Sequence, residues 1–456
     1  MKVCVVGAGL GGLAAARALV RAGHDVDVRE AAPRAGGVIG SSYVDGFLRE
    51  HAASSFLGGP PHGALALCTE LGVEAVKASP AAKRRWIFLD GKLRALPGNP
   101  VAFLRSDLLT WRGKLDVLRE PLRPRRATGE DESVHAFAAR RFGAEAARAI
   151  VAPFVTGIFA ADAHDISLEA GFPRLAALDD AGGVVRGMLA GAVAGVRDKL
   201  PWGKKKTGTG APKTAPGMWA LRAGVGALVD ALAAELGERV QRASRVELIE
   251  GEPGGRGARV DGDRFDAVVL AVPAQAAVGL VPPDGELAIR LATFQRAPAA
   301  QVYLGFAAGP DTVMANDGFG FLVALGEELR TLGVVFESTV WPGRAPAGHV
   351  LLRCILGGGR DPAVAGLLDD ELIAIARRDV ARALGIAREP VHASIVRWSR
   401  GIAQYRVGHK DRVREATLAA RAVRVVLAGA DYRGPGVNDL CADADVVAAE
   451  VGQWRA

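Results

Sequence analysis

The sequence predicts an α/β protein that carries a second domain of α+β type and a mostly helical insertion. Three observations predict it. The β-branched run Lys2 to Val6 is followed at once by glycines, then by an Ala/Leu-rich stretch and by a second apolar strand ending at Glu30, which makes a βαβ unit. Strand-like runs bounded by turns return in the middle of the chain (RFDAVVLAVPA) and near its end (VRVVLAG). Between residues 110 and 199, Ala and Leu instead recur among Arg and Glu, as in SVHAFAARRFGAEAARAIVAPF.

Taken in order, KVCVV reads as a buried parallel strand, Leu13 to Ala22 as a helix and DVDVRE as the second strand. Thr110 to Lys199 reads as helical, and Leu228 to Leu236 as a further helix. Short strands follow around Val240 and Val246, then RFDAVVLAVPA as a central buried strand. Residues 299–360 alternate apolar segments (AQVYLGF, GFGFLV, GVVFES, HVLLRCIL) with turns, the pattern of an antiparallel sheet. The expected partition is a discontinuous first domain of residues 1–60, 215–285 and 415–456. An α+β domain takes 61–105 and 286–414, a helical insertion 106–200, and a basic loop 201–216.

With 456 residues, half of them hydrophobic, the chain exceeds one small core. Its net charge of +7 admits nucleic acid, an anionic membrane or an acidic substrate. The one dense basic cluster, Lys204 to Lys206, sits among Gly, Pro and Thr without interleaved aromatics, so nucleic acid is not an expected partner. Cys4, Cys68, Cys354 and Cys441 lack the spacing of a zinc site or a disulfide framework, so no metal is expected and a reducing cytoplasm fits. The apolar run GMLAGAVAGV is too short to span a membrane, although the helical insertion could touch one peripherally.

Gly7-Ala8-Gly9-Leu10-Gly11-Gly12 fits GxGxxG between strand and helix. Gly7 permits the tight turn, Gly9 lets the backbone approach a pyrophosphate, and Gly12 lets helix and strand pack closely. The phosphates would sit at the helix N-terminus, where free N–H groups favour anions. Glu30 stands where ribose hydroxyls need an acceptor, so the first domain is Rossmann-like. The segment EAAPRAGGVIGS matches the extension found in flavoproteins that resemble amine oxidases, with Arg34 placed to neutralise phosphate charge and Gly36 and Gly37 letting the chain pass close to the cofactor. This favours FAD over NAD. In GADYRGPGVNDL, a glycine-rich turn opens a helix whose N–H donors can stabilise charge on a reduced flavin.

Several longer segments, KRRWIFLDGKLRALP, DESVHAFAARRFG, PFVTGIFAADAHDISLEAGFPRL, DGFGFLVALGEELRTLGVVFEST, RCILGGGRDP and IAQYRVGHKDRV, resemble the oxygen-dependent proto- and coproporphyrinogen oxidases of the flavin monoamine oxidase superfamily. The resemblance implies an FAD-binding domain of the GR2 or amine-oxidase type and a tetrapyrrole substrate. It implies that Arg85 pairs with a propionate, that Phe319, Gly320 and Leu322 sandwich the macrocycle beside Ile355, and that the Gly157 carbonyl faces the pyrrole N–H groups. Val240 would meet the adenine, and Val38, Ala52, Ala53, Ser54, Ser55, Ala430, Pro435, Gly436 and Val437 would be further FAD contacts. The implied reaction of haem biosynthesis is protoporphyrinogen IX to protoporphyrin IX, by three rounds of hydride transfer to flavin, with O2 as acceptor and H2O2 released. Coproporphyrinogen III is the alternative substrate. An amine oxidase or desaturase, or a flavin-binding paralogue without turnover, are the other readings left open. Some relatives are dimers. His51, His135, His164 and His409 are expected to be structural. Ala52, Ala403 and Asp443 depart from the family pattern, and Asp443, just inside its helix, is expected either near the flavin region or facing solvent at the positive helix end.

Overall fold

The strand Lys2–Val6 buries all but its first residue, as befits a β-branched run with strands on both sides. It is the centre of a five-stranded sheet in the order Val240–Gln241, Asp25–Arg29, Lys2–Val6, Ala267–Leu270, Val425–Leu427, and every pairing is parallel. The helices Leu10–Arg21, Gly226–Leu236 and Val437–Gly452 cover one face through Leu13, Leu228, Leu232, Val447 and Val451. The other face is covered by an antiparallel sheet of Ile249–Gly251, Ala258–Val260 and Asp263–Phe265 and by the helices Glu286–Leu291 and His409–Ala422. The computed structural model describes residues 1–59, 63–126, 129–185, 217–252 and 254–455. The basic stretch at Lys204–Lys206, the loop 201–216 and the apolar run 187–196 lie outside the described residues.

Three local expectations change. The first helix begins at Leu10, not Leu13, because Gly9 is its N-cap and the glycines that follow form its first turn. No strand forms at Val246: the next two N–H groups, of Glu247 and Leu248, are both taken by the Asp261 carboxylate at 2.9 Å, which removes them from any ladder. RFDAVVLAVPA is divided between two sheets, with Asp263–Phe265 in the small antiparallel one and Ala267–Leu270 in the parallel one. Asp266 marks the join, where it accepts the Lys2 N–H.

A seven-stranded sheet runs in the order His392–Ala403, Arg296–Ala307, His349–Gly357, Gly333–Val335, Gly320–Val323, Trp86–Leu89, Lys92–Ala95. It is antiparallel as expected, except that Gly320–Val323 pairs parallel with Trp86–Leu89. Alternation splits its side chains. Val302, Leu304, Phe321, Val350, Leu352 and Cys354 pack beneath Leu372, Ala376 and Val380 of the helix Asp369–Leu384. Gln301, Tyr303, Leu322, Arg353 and Ile355 therefore point to the opposite face.

The helices Trp111–Leu118, Val134–Phe142, Ala152–Phe159, Leu168–Gly171 and Pro173–Asp180 form the described part of the helical insertion. A π-helical turn, Ala147–Val151, feeds into Ala152–Phe159. Buried Arg141 sits between the carboxylates of Glu120 and Asp179 and ties these helices together. Trp111, Leu115 and Leu118 are exposed on one stripe of the helix Trp111–Leu118, and Leu122, on the short 3-10 turn that follows, is exposed as well, beside exposed Arg112 and Arg119. No helix of the described residues is long and apolar enough to cross a membrane.

Candidate functional site

The parallel sheet delivers its C-terminal strand ends to one edge, where loops from Gly7, Glu30, Ala271 and Ala428 begin. A Cβ on Gly12 would lie 2.0 Å from the Gly7 carbonyl, so only glycine lets the helix sit this close to the strand. Gly7 has φ +102° and makes the turn itself. Gly9, the N-cap of that helix, is different, since a Cβ there would meet nothing within 4 Å. That is the space a pyrophosphate requires, with the N–H groups of Leu10, Gly11 and Gly12 facing it.

Glu30 accepts the Ala8 N–H on one oxygen and the Ala32 N–H on the other, each at 2.8 Å. The carboxylate is thereby fixed beside the glycine turn with lone pairs to spare for ribose hydroxyls. Gly36 donates its N–H to the Ala8 carbonyl at 2.7 Å and bridges to Gly9. Arg34 donates to the carbonyls of Ala35, Gly37 and Ile39, all at 2.8 Å, so much of its hydrogen bonding holds its own loop in shape. Val38, Ala52 and Ala53 pack on the same core as Val240, and Val240 pairs with Val28 at the sheet edge.

The turn Ala52–Ser55 is held from the opposite side by the inward face of the seven-stranded sheet. Arg353 donates to the Ala52 carbonyl at 3.1 Å and to the Ser54 hydroxyl at 2.8 Å, Gln301 donates to the same carbonyl, and Trp398 donates to the carbonyl of His51. Arg353 also pairs with Glu337 at 2.9 Å, and nearby Glu50 pairs with Arg344 at 2.7 Å, all four side chains being buried. Burial pushes the Glu50 carboxyl up, against the opposing pull of Arg344 and Ser41. Sequence patterning overlooked these residues. The available signal was a single charge, Arg353, in phase with Leu351 and Ile355 in HVLLRCILG.

The second glycine turn, Ala430 to Gly436, opens the helix Val437–Gly452. The Asp439 carboxylate accepts the Gly436 N–H at 3.0 Å. Tyr405, buried, donates to the Ala430 carbonyl at 2.6 Å and accepts the Gly434 N–H at 2.9 Å, clamping the turn ahead of Pro435. It stacks on His409, whose imidazole burial and Arg412 together hold down to about 4. Asp443 does not face solvent. It turns inward to Arg433 at 3.3 Å, and burial, only partly opposed by that arginine, raises its carboxyl to about 6.

The residues assigned to the tetrapyrrole fall on the same inward face. A Cβ on Gly157 would lie 2.8 Å from Leu322 Cδ2, so the helix Ala152–Phe159 presses directly on the sheet. Leu322 and Ile355 flank Gly333 in register, and Gly320, at φ +138°, leaves no room for a side chain against the Val334 carbonyl. Phe319 lies beneath the Arg85 guanidinium, 5.5 Å from ring centroid to charge. The helix ends at Phe159 with Ala160 left-handed. The carbonyls of Thr156, Phe159 and Ala160 take donors from Ala160, Gln404 and Gly359 respectively, whereas no donor among the described residues reaches the Gly157 carbonyl.

The family model for flavin containing amine oxidoreductases matches residues 10–440. The coproporphyrinogen III oxidase of Bacillus subtilis (strain 168) is 26% identical, over 97% of this chain and 95% of its own. The chloroplastic protoporphyrinogen oxidase of Nicotiana tabacum is 28% identical over 91% and 78%. A solved structure from Exiguobacterium sp. 255-15, provisionally described as a protoporphyrinogen oxidase, superposes with a TM-score of 0.82 at 24% identity, covering 99% of this chain and 98% of that one. With the glycine cradle, the Glu30 acceptor and this match over almost the whole length, the chain belongs to the flavin-containing amine oxidoreductase family, is similar within it to the porphyrinogen oxidases, and takes FAD as its cofactor.

Proposed function

We propose that this chain is an FAD-dependent oxidase of haem biosynthesis that converts a porphyrinogen to the porphyrin in three two-electron rounds, with O2 as final acceptor and H2O2 released. The observation that carries the reading is the free carbonyl of Gly157, set at a helix end against Leu322 and the apolar strip that continues to Ile355. Bound FAD would supply hydride acceptance and electron transfer to oxygen. The chain's own contribution is positional. Leu322, Ile355 and Phe319 offer flat apolar contact to a macrocycle and exclude water. The Gly157 carbonyl accepts hydrogen bonds from pyrrole N–H groups, and Arg85 anchors a propionate at one edge. Protoporphyrinogen IX is the substrate that the sequence resemblance suggests. Coproporphyrinogen III is favoured by a second cation, Arg360, treated below.

The test is an anaerobic mix of FAD-loaded protein with each porphyrinogen, followed by flavin bleaching and, after air is admitted, by porphyrin fluorescence. Bleaching with subsequent fluorescence is expected. A flavin that stays oxidised with both porphyrinogens but bleaches with an amine such as putrescine would overturn the reading.

A further inference from the structure

Arg360 follows the strand that carries Ile355. The intervening turn is locked onto the end of the Gly157 helix: Gly359 donates its N–H to the Ala160 carbonyl at 2.7 Å, and a Cβ on Gly358 would fall 1.7 Å from that same oxygen. Among the described residues, Arg360 is the one half-buried arginine that makes neither a hydrogen bond nor an ion pair. Burial lowers its basicity, with the field of Asp162 acting in the opposite sense. The Asp162 carboxylate is itself engaged by the backbone N–H and ring Nδ1 of His164, at 2.9 and 2.7 Å. A partly desolvated guanidinium keeps five donors and a full charge, so one left without an acceptor is an unfavourable arrangement in the free protein.

The sheet register places Arg360 relative to Arg85. Phe321 pairs with Trp86, so Arg85 is level with Gly320, Val335 and Arg353. Arg360 lies beyond Gly357, toward the other end of the strands and three strands away. At ~3.3 Å per residue and ~4.8 Å per strand, the two backbones are on the order of 20 Å apart, with Leu322 and Ile355 between them. Two arginines set across that span suit a tetrapyrrole carrying carboxylate arms on both edges.

We propose that Arg360 is a second carboxylate-binding position of the substrate site, receiving an arm on the edge of the macrocycle opposite the one held by Arg85. It therefore selects coproporphyrinogen III, with carboxylate arms on all four rings, over protoporphyrinogen IX, whose two arms lie on neighbouring rings. This inference rests on the porphyrinogen reading above.

The experiment titrates FAD-loaded protein with coproporphyrin III and, separately, protoporphyrin IX, following porphyrin fluorescence, for the wild type, Arg360→Gln and Arg360→Lys, with melting temperatures taken alongside. Loss of a charge-assisted pair predicts about tenfold to a hundredfold weaker coproporphyrin III binding in Arg360→Gln, with protoporphyrin IX affinity held within about twofold. Arg360→Lys should recover part of the loss. The melting temperature should not fall, because the guanidinium has no partner to lose in the free protein. Equal loss for both porphyrins, no loss for either, or a destabilised Arg360→Gln would overturn the assignment while leaving the porphyrinogen reading in place. Failure of the wild type to bind either porphyrin would overturn both.

Discussion

Replacing Asp443 with asparagine should stabilise the protein at neutral pH. The carboxyl is moved from its ordinary 3.8 to about 6 by burial, net of the help that Arg433 gives its ionised form. Because the folded-state value is raised, the folded protein binds the proton more tightly than the unfolded chain. Stability from this group is fully present below pH 3.8 and is lost as pH rises through 6. At 1.36 kcal/mol per tenfold change in proton affinity, the ionised carboxylate costs about 3 kcal/mol above pH 6. Asparagine keeps the shape and a hydrogen-bonding carbonyl for Arg433, which retains Glu450 at 2.8 Å. Denaturant unfolding of wild type and Asp443→Asn at several pH values should give matching stabilities near pH 4 and a gap opening to about 2–3 kcal/mol in favour of the variant by pH 7.5. An asparagine variant that is less stable at pH 7.5 would mean that the Arg433 pair outweighs burial, and would sink the reasoning.

Gly12→Ala puts a methyl against a backbone carbonyl that cannot yield, so the variant should purify without flavin absorbance, and full flavin occupancy would contradict the close packing described. Tyr405→Phe leaves the Ala430 carbonyl and the Gly434 N–H without their buried partner. It should lower stability by about 2–4 kcal/mol and weaken FAD retention on dilution, both measurable by unfolding monitored through flavin fluorescence. The exposed apolar side chains Trp111, Leu115, Leu118 and Leu122, flanked by arginines, should carry the protein into the floating fraction with anionic vesicles. The double change Trp111→Ser and Leu122→Ser should return it to the soluble fraction, and wild type that never floats excludes lipid as this face's partner.

The opening βαβ unit was legible because its determinants are local: a β-branched strand, glycines at fixed spacing and an acid at the end of the next strand. Four strands of the seven-stranded sheet, those between Arg296 and Gly357, were legible from apolar segments alternating with turns, whereas Leu322 and Ile355 came from the family resemblance. Other features depend on distant partners. Val246 looks like strand until Asp261 takes the neighbouring N–H groups. Arg353 reads as a flaw in an apolar run until Glu337, Ala52 and Ser54 are seen around it. Asp443 reads either as a neighbour of the flavin or as a solvated carboxylate, because nothing nearby in sequence announces that Arg433 folds back over it. Arg360 is the extreme case, since what distinguishes it is the lack of a partner, a property only the assembled chain possesses.

The five-stranded sheet also bears on the order of events during synthesis. Its neighbours in space come from three distant stretches of chain, and its last strand, Val425–Leu427, together with the helix Val437–Gly452 that packs on Leu10–Arg21, is translated last. A ribosome that has passed the first glycine turn has made one side of the candidate site but not the second glycine turn; the first strand gains its second neighbour only with Ala267–Leu270, and over four hundred residues must emerge before the sheet gains its fifth strand. Cofactor capture belongs to the end of folding, with long-range pairing its slow step, so a nascent chain arrested before residue 425 should carry no stably held flavin.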